Sequence, residues 1–331
     1  MANNTGSFVI SLDFELMWGV RDMVSKETYG QHINGVHTAL PKLLKCFTKY
    51  KINATFAVVG LLFCKNKNDI LKFAPLVLPG YTNQNLSPYG AYLHNIVGED
   101  LEADPYHYGW RLVEKIRNTP GQEIGTHTFS HYYCLEEGQT VEEFKNDLEA
   151  AIAIAKKDGI EIKTIIFPRN QVNDPYLEEC RNQGLSSYRG TEDSWFYEAR
   201  NAGSEHLLRR LARLGDSYFN LSGHHCYTHE YMAESFPYNI PSSRFLRPYS
   251  KRFRFFEPLR LARIKKSMTH AARNKLTFHL WWHPHNFGIN QDENFAFLEE
   301  ILQHYLYLNK KYSFISQTMS GLAESLKKLK L

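Results

Sequence analysis

A repeated alternation of short β-like runs and longer amphipathic helical stretches constrains the fold of this 331-residue chain more than any other feature. Such alternation specifies a parallel sheet whose strands are joined by crossover helices. Seven or eight of these units fit a barrel better than an open doubly wound sheet, and no G-x-G-x-x-G follows the first run. We therefore predict an α/β fold, a distorted (β/α)7-type barrel with long loop insertions.

The alternation assigns much of the chain to strands and helices. We predict strands at 8–15, 54–60, 123–127, 164–167, 186–189, 219–222, 276–283 and 313–317. We predict helices around 36–49, from Thr140, from Asp174, at 258–274, at 293–308 and from Gly321. Thr140 and Glu143 form a capping-box pair ahead of an apolar run, which marks the start of the second helix.

The chain reads as a single domain over residues 1–331, because no Gly/Ser-rich or Pro-rich linker divides it. Two stretches, at about 65–108 and 190–250, interrupt the alternation and are expected to be insertions. A chain of this size buries roughly 75% of its unfolded surface, so it needs neither a disulfide nor a structural metal to fold. Any metal would serve chemistry.

The five cysteines are odd in number and contain no C-x-x-C pair, as is typical of a reduced compartment. The first residues show no signal-peptide pattern, and no window approaches 18 uncharged apolar residues. We therefore expect a cytoplasmic protein, with peripheral association at a membrane as a further expectation.

Two carboxylates lie at the end of the first predicted strand. Asp13 and Glu15 are two residues apart, so an extended backbone points both side chains into the same space. Barrel enzymes place their chemistry at this end of the strands. Close carboxylates repel each other unless a cation lies between them, and a metal would supply that charge. A pair of solvated acids is the simpler alternative.

Two histidines follow the third predicted strand with the spacing His-x-x-x-His. On one helical turn, His127 and His131 would come to the same side, as two ligands of a single metal ion. With a carboxylate from the first strand they would complete three protein ligands and leave room for water. That arrangement is typical of a catalytic metal rather than a structural one.

The most apolar predicted strand ends in another histidine. Alternation places His279, Trp281 and His283 on one face of this strand. His283 at the strand end is placed to exchange a proton with a substrate held at the metal. A core histidine that donates to a backbone carbonyl is the alternative.

Together these motifs resemble the polysaccharide deacetylase family, the proteins with a NodB-type homology domain. The matching segments, in the family's order, are Ser11-Leu-Asp-Phe-Glu15, Ala54-Thr-Phe-Ala-Val-Val-Gly60, Glu123-Ile-Gly-Thr-His-Thr-Phe-Ser-His131, Ile166-Phe-Pro-Arg169-Asn and Leu280-Trp-Trp-His283-Pro284. The first segment carries Asp-x-Glu where the family has an adjacent Asp-Asp pair. The fourth carries Pro168-Arg169-Asn170 in place of the usual Arg-x-x-Pro-Tyr.

The resemblance implies a distorted barrel and a divalent-metal hydrolysis that removes an acetyl group from a sugar. The roles it carries over by position are metal ligands His127 and His131, general base Asp13, general acid His283 and base-orienting Arg169. The metal-binding carboxylate is either Glu15 or Asp13. Their shared face lets Glu15 serve as the third ligand while Asp13 takes the proton. Zinc is the expected metal, with Co, Mn, Fe and Ni as alternatives.

We therefore predict a metal-dependent deacetylase that acts on an amino sugar or glycan precursor in surface polysaccharide biosynthesis. One alternative keeps the fold and changes the reaction, as a deformylase or other amidohydrolase on a lipid-linked or nucleotide sugar. The other is a non-catalytic glycan-binding barrel, against which the complete set of motif residues argues.

The stretch from Arg244 to Lys275 is strongly basic, with eleven Lys or Arg residues and one acid, Glu257. Its first half interleaves cations with aromatic residues, which is typical of a membrane-surface or polyanion contact. A solvated basic face is the alternative, and no nucleic-acid-binding motif accompanies it. A second His/Cys group, at His224, His225, Cys226 and His229, is interpreted as a polar loop rather than a zinc site.

Overall fold

The computed structural model describes residues 5–201 and 206–329, which contain nine strands joined by parallel pairings. The strands are β1 Ser7–Phe14, β2 Ala54–Val58, β3 Gln122–Thr126, β4 Thr164–Ile165, β5 Ser187–Tyr188, β6 Tyr238–Asn239, β7 Arg244–Phe245, β8 Thr277–Trp282 and β9 Ile315–Gln317. Their order in the sheet is β6-β5-β4-β3-β2-β1-β8-β7. β9 pairs with the first residues of β1, before β2 begins to pair with it.

One extended segment connects the two edges of the curled sheet. β6 pairs with β5 at one edge, β7 pairs with β8 at the other, and residues 240–243 join them. Within this link, Ser242 N donates to the Gly190 carbonyl (2.9 Å) and Ser243 N donates to the His279 carbonyl (2.8 Å). β6 and β7 therefore act as two parts of one wall strand. This confirms the predicted distorted (β/α)7 barrel.

Helices surround the sheet. They are α1 Lys26–Tyr50, α2 Lys67–Phe73, α3 Ala91–Asn95, α4 Trp110–Arg117, α5 Val141–Lys157, α6 Asp174–Asn182, α7 Leu207–Asp216, α8 His229–Met232, α9 Glu257–Asn274, α10 Gln291–Tyr312 and α11 Met319–Lys327. The predicted capping box of α5 forms, with Thr140 Oγ1 and the Glu143 carboxylate each accepting the other residue's backbone N–H. No helix within the described ranges has both the length and the apolar content needed to span a bilayer.

Side chains along β1 alternate between two hydrophobic cores, one on each face of the sheet. Phe8 and Leu12 lie in the main core between the sheet and the helices. Val9 points the other way, into the barrel, where it meets Ala57 and Met319. Asp13 has the same parity as Val9, so the strand delivers its carboxylate to the barrel interior.

Three predicted elements differ from the structure. α1 begins at Lys26 rather than near residue 36, because Ser25 and Thr28 cap its start and Pro41 is accommodated inside the helix. Residues 219–222 are not a strand, because the Asp216 carboxylate accepts the backbone N–H groups of Leu221 and Ser222 and folds the chain back. The stretch 190–250 includes the wall segment β6–β7 as well as α7 and α8.

A substitution of Phe8 tests how much the main core contributes to stability. Its ring is buried among Phe278, Tyr305 and Phe314, at centroid distances of 6.2, 5.3 and 6.1 Å. We expect Phe8→Ala to lower the free energy of unfolding by about 3–5 kcal/mol, since it leaves a cavity between sheet and helices. Chemical denaturation measures this change. Leu76→Ala, at a side chain that is 96% exposed, should stay within about 0.5 kcal/mol of the parent chain.

Candidate metal and catalytic site

The carboxyl end of β1 brings one carboxylate against two imidazoles. Glu15 Oε2 lies 3.1 Å from His131 Nε2 and 3.4 Å from His127 Nε2, and all three side chains are buried. Among the described residues, this is the only His/Cys/Asp/Glu group in which three potential ligand atoms lie within 4.8 Å of one another. The structure therefore brings together the three residues that the sequence proposed as metal ligands.

A compact loop, not a helical turn, brings the two histidines together. Thr128 and His131 have left-handed backbones, with φ of 63° and 60°, so the predicted helical i, i+4 geometry is wrong. The loop is held by Asp147 of α5, whose carboxylate accepts the Phe129 N–H (2.6 Å) and both the N–H and hydroxyl of Ser130. Burial raises the pKa of Asp147 to about 6 despite these bonds.

The orientation of His127 fits a bound cation. Its Nδ1 lies 2.7 Å from the Ile166 carbonyl, which can only accept, so Nδ1 carries the proton. The lone pair of a neutral ring's Nε2 then faces the Glu15 carboxylate, a repulsive contact unless a cation lies between them. Burial lowers the pKa of His131 to about 4, which keeps that ring in the neutral form that metals bind. Two imidazoles and a carboxylate suit zinc and similar divalent ions.

The second carboxylate at the end of β1 is bound by Arg189, the residue that follows β5. Arg189 donates two parallel bonds to Asp13, at 2.7 and 2.8 Å, and a third to Ser11 Oγ at 3.0 Å. The guanidinium is fully buried and lies 4.1 Å from the centroid of the Trp281 ring. Burial alone would raise the pKa of Asp13, but the charge and hydrogen bonds of Arg189, together with the nearby histidines, outweigh burial and lower that pKa. Asp13 is therefore an ionised, fixed acceptor at neutral pH.

Arg169, predicted to orient Asp13, does not contact it. Its backbone is left-handed (φ 54°), and its guanidinium pairs with Asp22 and lies 4.2 Å from the centroid of the Tyr133 ring. The next residue, Asn170, supports the site instead, because its Oδ1 accepts an N–H of Arg189 at 2.8 Å. The sequence signal for Arg189 was its place at the end of the predicted strand 186–189.

Two histidines after β8 complete the rim of the site. His283 Nε2 lies 3.7 Å from Asp13 Oδ2 and 3.8 Å from Glu15 Oε1, and the side chain is 24% exposed. His285, which the sequence analysis missed, stacks on His283 at 4.9 Å and places Nδ1 3.8 Å from Glu15 Oε1. Burial lowers the pKa of His285 to about 3. His283 is thus the partly exposed member of the pair.

Three other histidines that the sequence analysis named contact the protein itself. His279, on the same face of β8 as His283, lies 2.8 Å from Ser11 Oγ and donates to the Ile240 carbonyl. His279 thus has the structural role, donation to a backbone carbonyl from the core, that the sequence analysis gave as the alternative for His283. His224 and His225 contact serine hydroxyls, and within the described residues they join no group of three metal ligands.

The sequence model of the polysaccharide deacetylase family matches residues 34–188. This segment contains β2 to β5 and both loop histidines, and its match confirms the resemblance. The name of the family denotes hydrolases that remove acetyl groups from polysaccharides. Asp13, Glu15 and His283 lie outside the matched segment. No curated protein matches the chain significantly in sequence.

Solved structures share the fold at low sequence identity. A Mycobacterium smegmatis structure described as a polysaccharide deacetylase has 12% identity, covers 99% of this chain and 92% of its own, and has a TM-score of 0.58. A Pseudomonas aeruginosa PAO1 structure, also described as a polysaccharide deacetylase, has 11% identity, covers 97% of this chain and 90% of its own, and has a TM-score of 0.55. A structure described as an allantoinase has 10% identity, covers 99% of this chain and 92% of its own, and has a TM-score of 0.55. At these identities the likeness establishes the barrel fold alone.

The pairing of Arg189 with Asp13 makes a pH-dependent stability prediction. In the parent chain the pKa of Asp13 is below its unfolded value, so its contribution is present above that value and is lost as pH falls through the folded pKa. Arg189→Gln leaves a buried unpaired carboxylate, and we expect a loss of about 3–5 kcal/mol at pH 7. The pKa of Asp13 then rises, so protonation relieves the loss as pH falls.

Urea denaturation of Arg189→Gln and of the parent chain at pH 7 and pH 5 measures this difference. Arg169→Gln is the control, because its side chain pairs with Asp22 and leaves the Asp13 contact intact. An equal loss in both variants, with the same dependence on pH, would show that Arg189 has no special role at Asp13.

Proposed function

We propose that this chain is a metal-dependent deacetylase that removes an acetyl group from an amino sugar or a glycan precursor. The observation that carries the proposal is the convergence of Glu15, His127 and His131 beside an ionised Asp13 and a partly exposed His283. The family match supports an acylated sugar as the substrate class. A role in surface polysaccharide biosynthesis, on a nucleotide-linked or lipid-linked sugar, is part of the same proposal.

Glu15, His127 and His131 would hold the metal. When bound, a divalent ion supplies a Lewis acid for the acyl carbonyl and lowers the pKa of a coordinated water. The burial of the three side chains keeps solvent from competing for the ligand atoms. The Ile166 carbonyl fixes the ring of His127, as outer contacts of metal-binding histidines commonly do.

Asp13 and His283 divide the proton transfers. Asp13 accepts the proton of the attacking water, and Arg189 keeps its carboxylate ionised and oriented. His283 donates a proton through Nε2 to the departing amine, from the exposed side of the site. Because the two groups lie 3.7 Å apart at Nε2 and Oδ2, both can act on one substrate without a large movement of the chain.

The fold does not determine which acyl group is removed or which molecule carries it. A structure described as an allantoinase shares the barrel as closely as one described as a deacetylase. This likeness keeps the second candidate, a deformylase or other amidohydrolase, within the same proposal. The released acid distinguishes the two candidates, and the protein residues have the same roles in both.

Metal content tests the ligand assignment. We expect the parent chain to bind about one divalent ion per chain after reloading with Zn²⁺, and His127→Ala to lose it, because two ligands no longer close the site. Elemental analysis after dialysis measures the stoichiometry, with Co²⁺ and Mn²⁺ loaded in parallel. His229→Ala, a buried histidine outside the group, should keep the parent value. Full metal content in His127→Ala would contradict the assignment.

Acid release tests the reaction. With the metal-loaded chain, we expect acetate from N-acetylated nucleotide sugars and oligosaccharides, and a rate about 10²- to 10⁴-fold lower in Asp13→Asn and in His283→Asn. Both variants should keep the metal, so lost turnover would reflect proton transfer. Formate from N-formylated sugars, without acetate, would favour the deformylase. A metal-bound chain that released neither acid would favour the non-catalytic barrel.

A further inference from the structure

Helix α7 turns its apolar side chains outward. Leu207, Leu208 and Leu211 are 67, 73 and 52% exposed. Arg209, between them, is buried and donates to the backbone carbonyls of Trp195 and Glu198. A surface helix of a monomeric protein normally buries its leucines and exposes its arginines. The first turns of α7 therefore expose three leucines beside the exposed Arg210, where a surface helix would normally bury them.

A second exposed element combines aromatic and cationic side chains. The 3₁₀ helix Lys251–Phe256 contains no buried residue, and Phe255 is 79% exposed. The guanidiniums of Arg252 and Arg254 lie over the neighbouring rings of Phe253 and Phe255. Within the described residues, no ion pair neutralises either arginine. Exposed aromatics flanked by free cations are typical of elements that lie in a membrane interface.

Residues just after α7 join the two elements into one surface. The ring of Tyr218 lies 6.3 Å from that of Phe253 and 5.8 Å from that of Phe256. The side chain of Leu221 packs over Gly215 of α7, where an added Cβ would meet its Cδ1 at 3.2 Å. We call residues 207–211, 219–221 and 251–256 the apolar-cationic face.

The buried part of the basic stretch does not belong to this face. Arg244 pairs with the buried Asp216, Arg263 lies 3.6 Å from the same carboxylate, and Arg260 pairs with Glu257. These three arginines are buried and support the packing of α9 and the 190–250 stretch. We therefore place the contact on only part of the basic stretch 244–275 that the sequence analysis singled out. Among its exposed cations, Lys251, Arg252 and Arg254 lie beside the exposed rings, whereas Lys266, Arg273 and Lys275 belong to α9 and its end.

We propose that the apolar-cationic face binds an anionic lipid surface. The leucines of α7 and Phe255 enter the interfacial layer, and Arg252 and Arg254 contact lipid phosphates. A soluble polyanion would use the arginines but would leave the leucines and Phe255 exposed, whereas an anionic bilayer covers both. This proposal stands apart from the deacetylation proposal, and its test does not use turnover.

The face is connected to the rim of the candidate site through β7. The ring of Phe245 lies 6.0 Å from that of His283, and the chain continues from Phe245 into the 251–256 turn. A lipid surface bound at the turn would therefore be held on a segment that contacts His283. This position suits a substrate that is itself attached to a lipid.

Vesicle flotation of the full chain tests the proposal. We expect binding to phosphatidylcholine vesicles that contain phosphatidylglycerol, weak binding to phosphatidylcholine alone, and weaker binding at high salt. Arg252→Gln with Arg254→Gln should lower the partition coefficient about thirtyfold, as expected for two cations at an anionic surface. Phe255→Ala with Phe256→Ala should lower it about tenfold or more.

Matched variants elsewhere on the chain serve as controls. Lys327→Gln with Lys328→Gln removes two exposed cations from the end of α11, and Leu76→Ala with Leu78→Ala removes two exposed apolar side chains. Both pairs should bind like the parent chain, and circular dichroism should show all variants folded. Since the altered side chains are exposed, a folding defect is not expected.

Four results would overturn the proposal. The first is a parent chain that does not float, or that binds both vesicle types equally. The second is unchanged binding in both face variants. The third is a parent dimer that Phe255→Ala with Phe256→Ala converts to a monomer, which would make the face a self-association surface. The fourth is binding to soluble polyphosphate as tight as to vesicles and insensitive to the phenylalanine changes.

Discussion

The balance of buried charge at the end of β1 is the constraint on which the site depends. Two carboxylates enter the barrel from one strand, and an ionised carboxylate removed from water is costly unless a partner compensates it. Arg189 compensates Asp13 with two hydrogen bonds. Among the described residues, Glu15 contacts no arginine, and its carboxylate faces the imidazoles of His127, His131 and His283 instead. One strand end therefore carries both a fixed anion and a place for a bound cation.

The spacings of apolar residues, with a period of two in strands and about 3.6 in helices, predicted most of the fold. They located β1, β8 and the capped start of α5, because long runs repeat their signal many times. They missed β6 and β7, which are two residues each and lie in a stretch that was expected to be an insertion. β4 and β5 are equally short but were predicted from the alternation of strands and helices, whereas β6 and β7 lie outside that alternation and are defined by their pairing with β5 and β8.

The candidate site shows the same limit at the level of single side chains. The sequence analysis grouped Glu15, His127 and His131, because Glu15 follows β1, the two histidines follow β3, and parallel strands end at the same rim of a barrel. It assigned Arg169 from its place in the Arg/Pro motif and did not consider Arg189, because only the backbone shows which guanidinium reaches Asp13. At Arg169 the left-handed conformation turns the guanidinium to Asp22, whereas Arg189 continues β5 into the barrel. Function is thus argued from side-chain placement, because unrelated reactions share this fold.

The position of β1 has a consequence for how the chain is made. β1 pairs with β2, which follows within about 40 residues, but also with β8 and β9, near the other end of the chain. During synthesis the edge of β1 that pairs with β8 therefore stays unsatisfied until residues 277–282 have emerged, and an exposed strand edge is prone to pair with other chains. A nascent or C-terminally shortened form should thus depend on chaperones more than the complete barrel does.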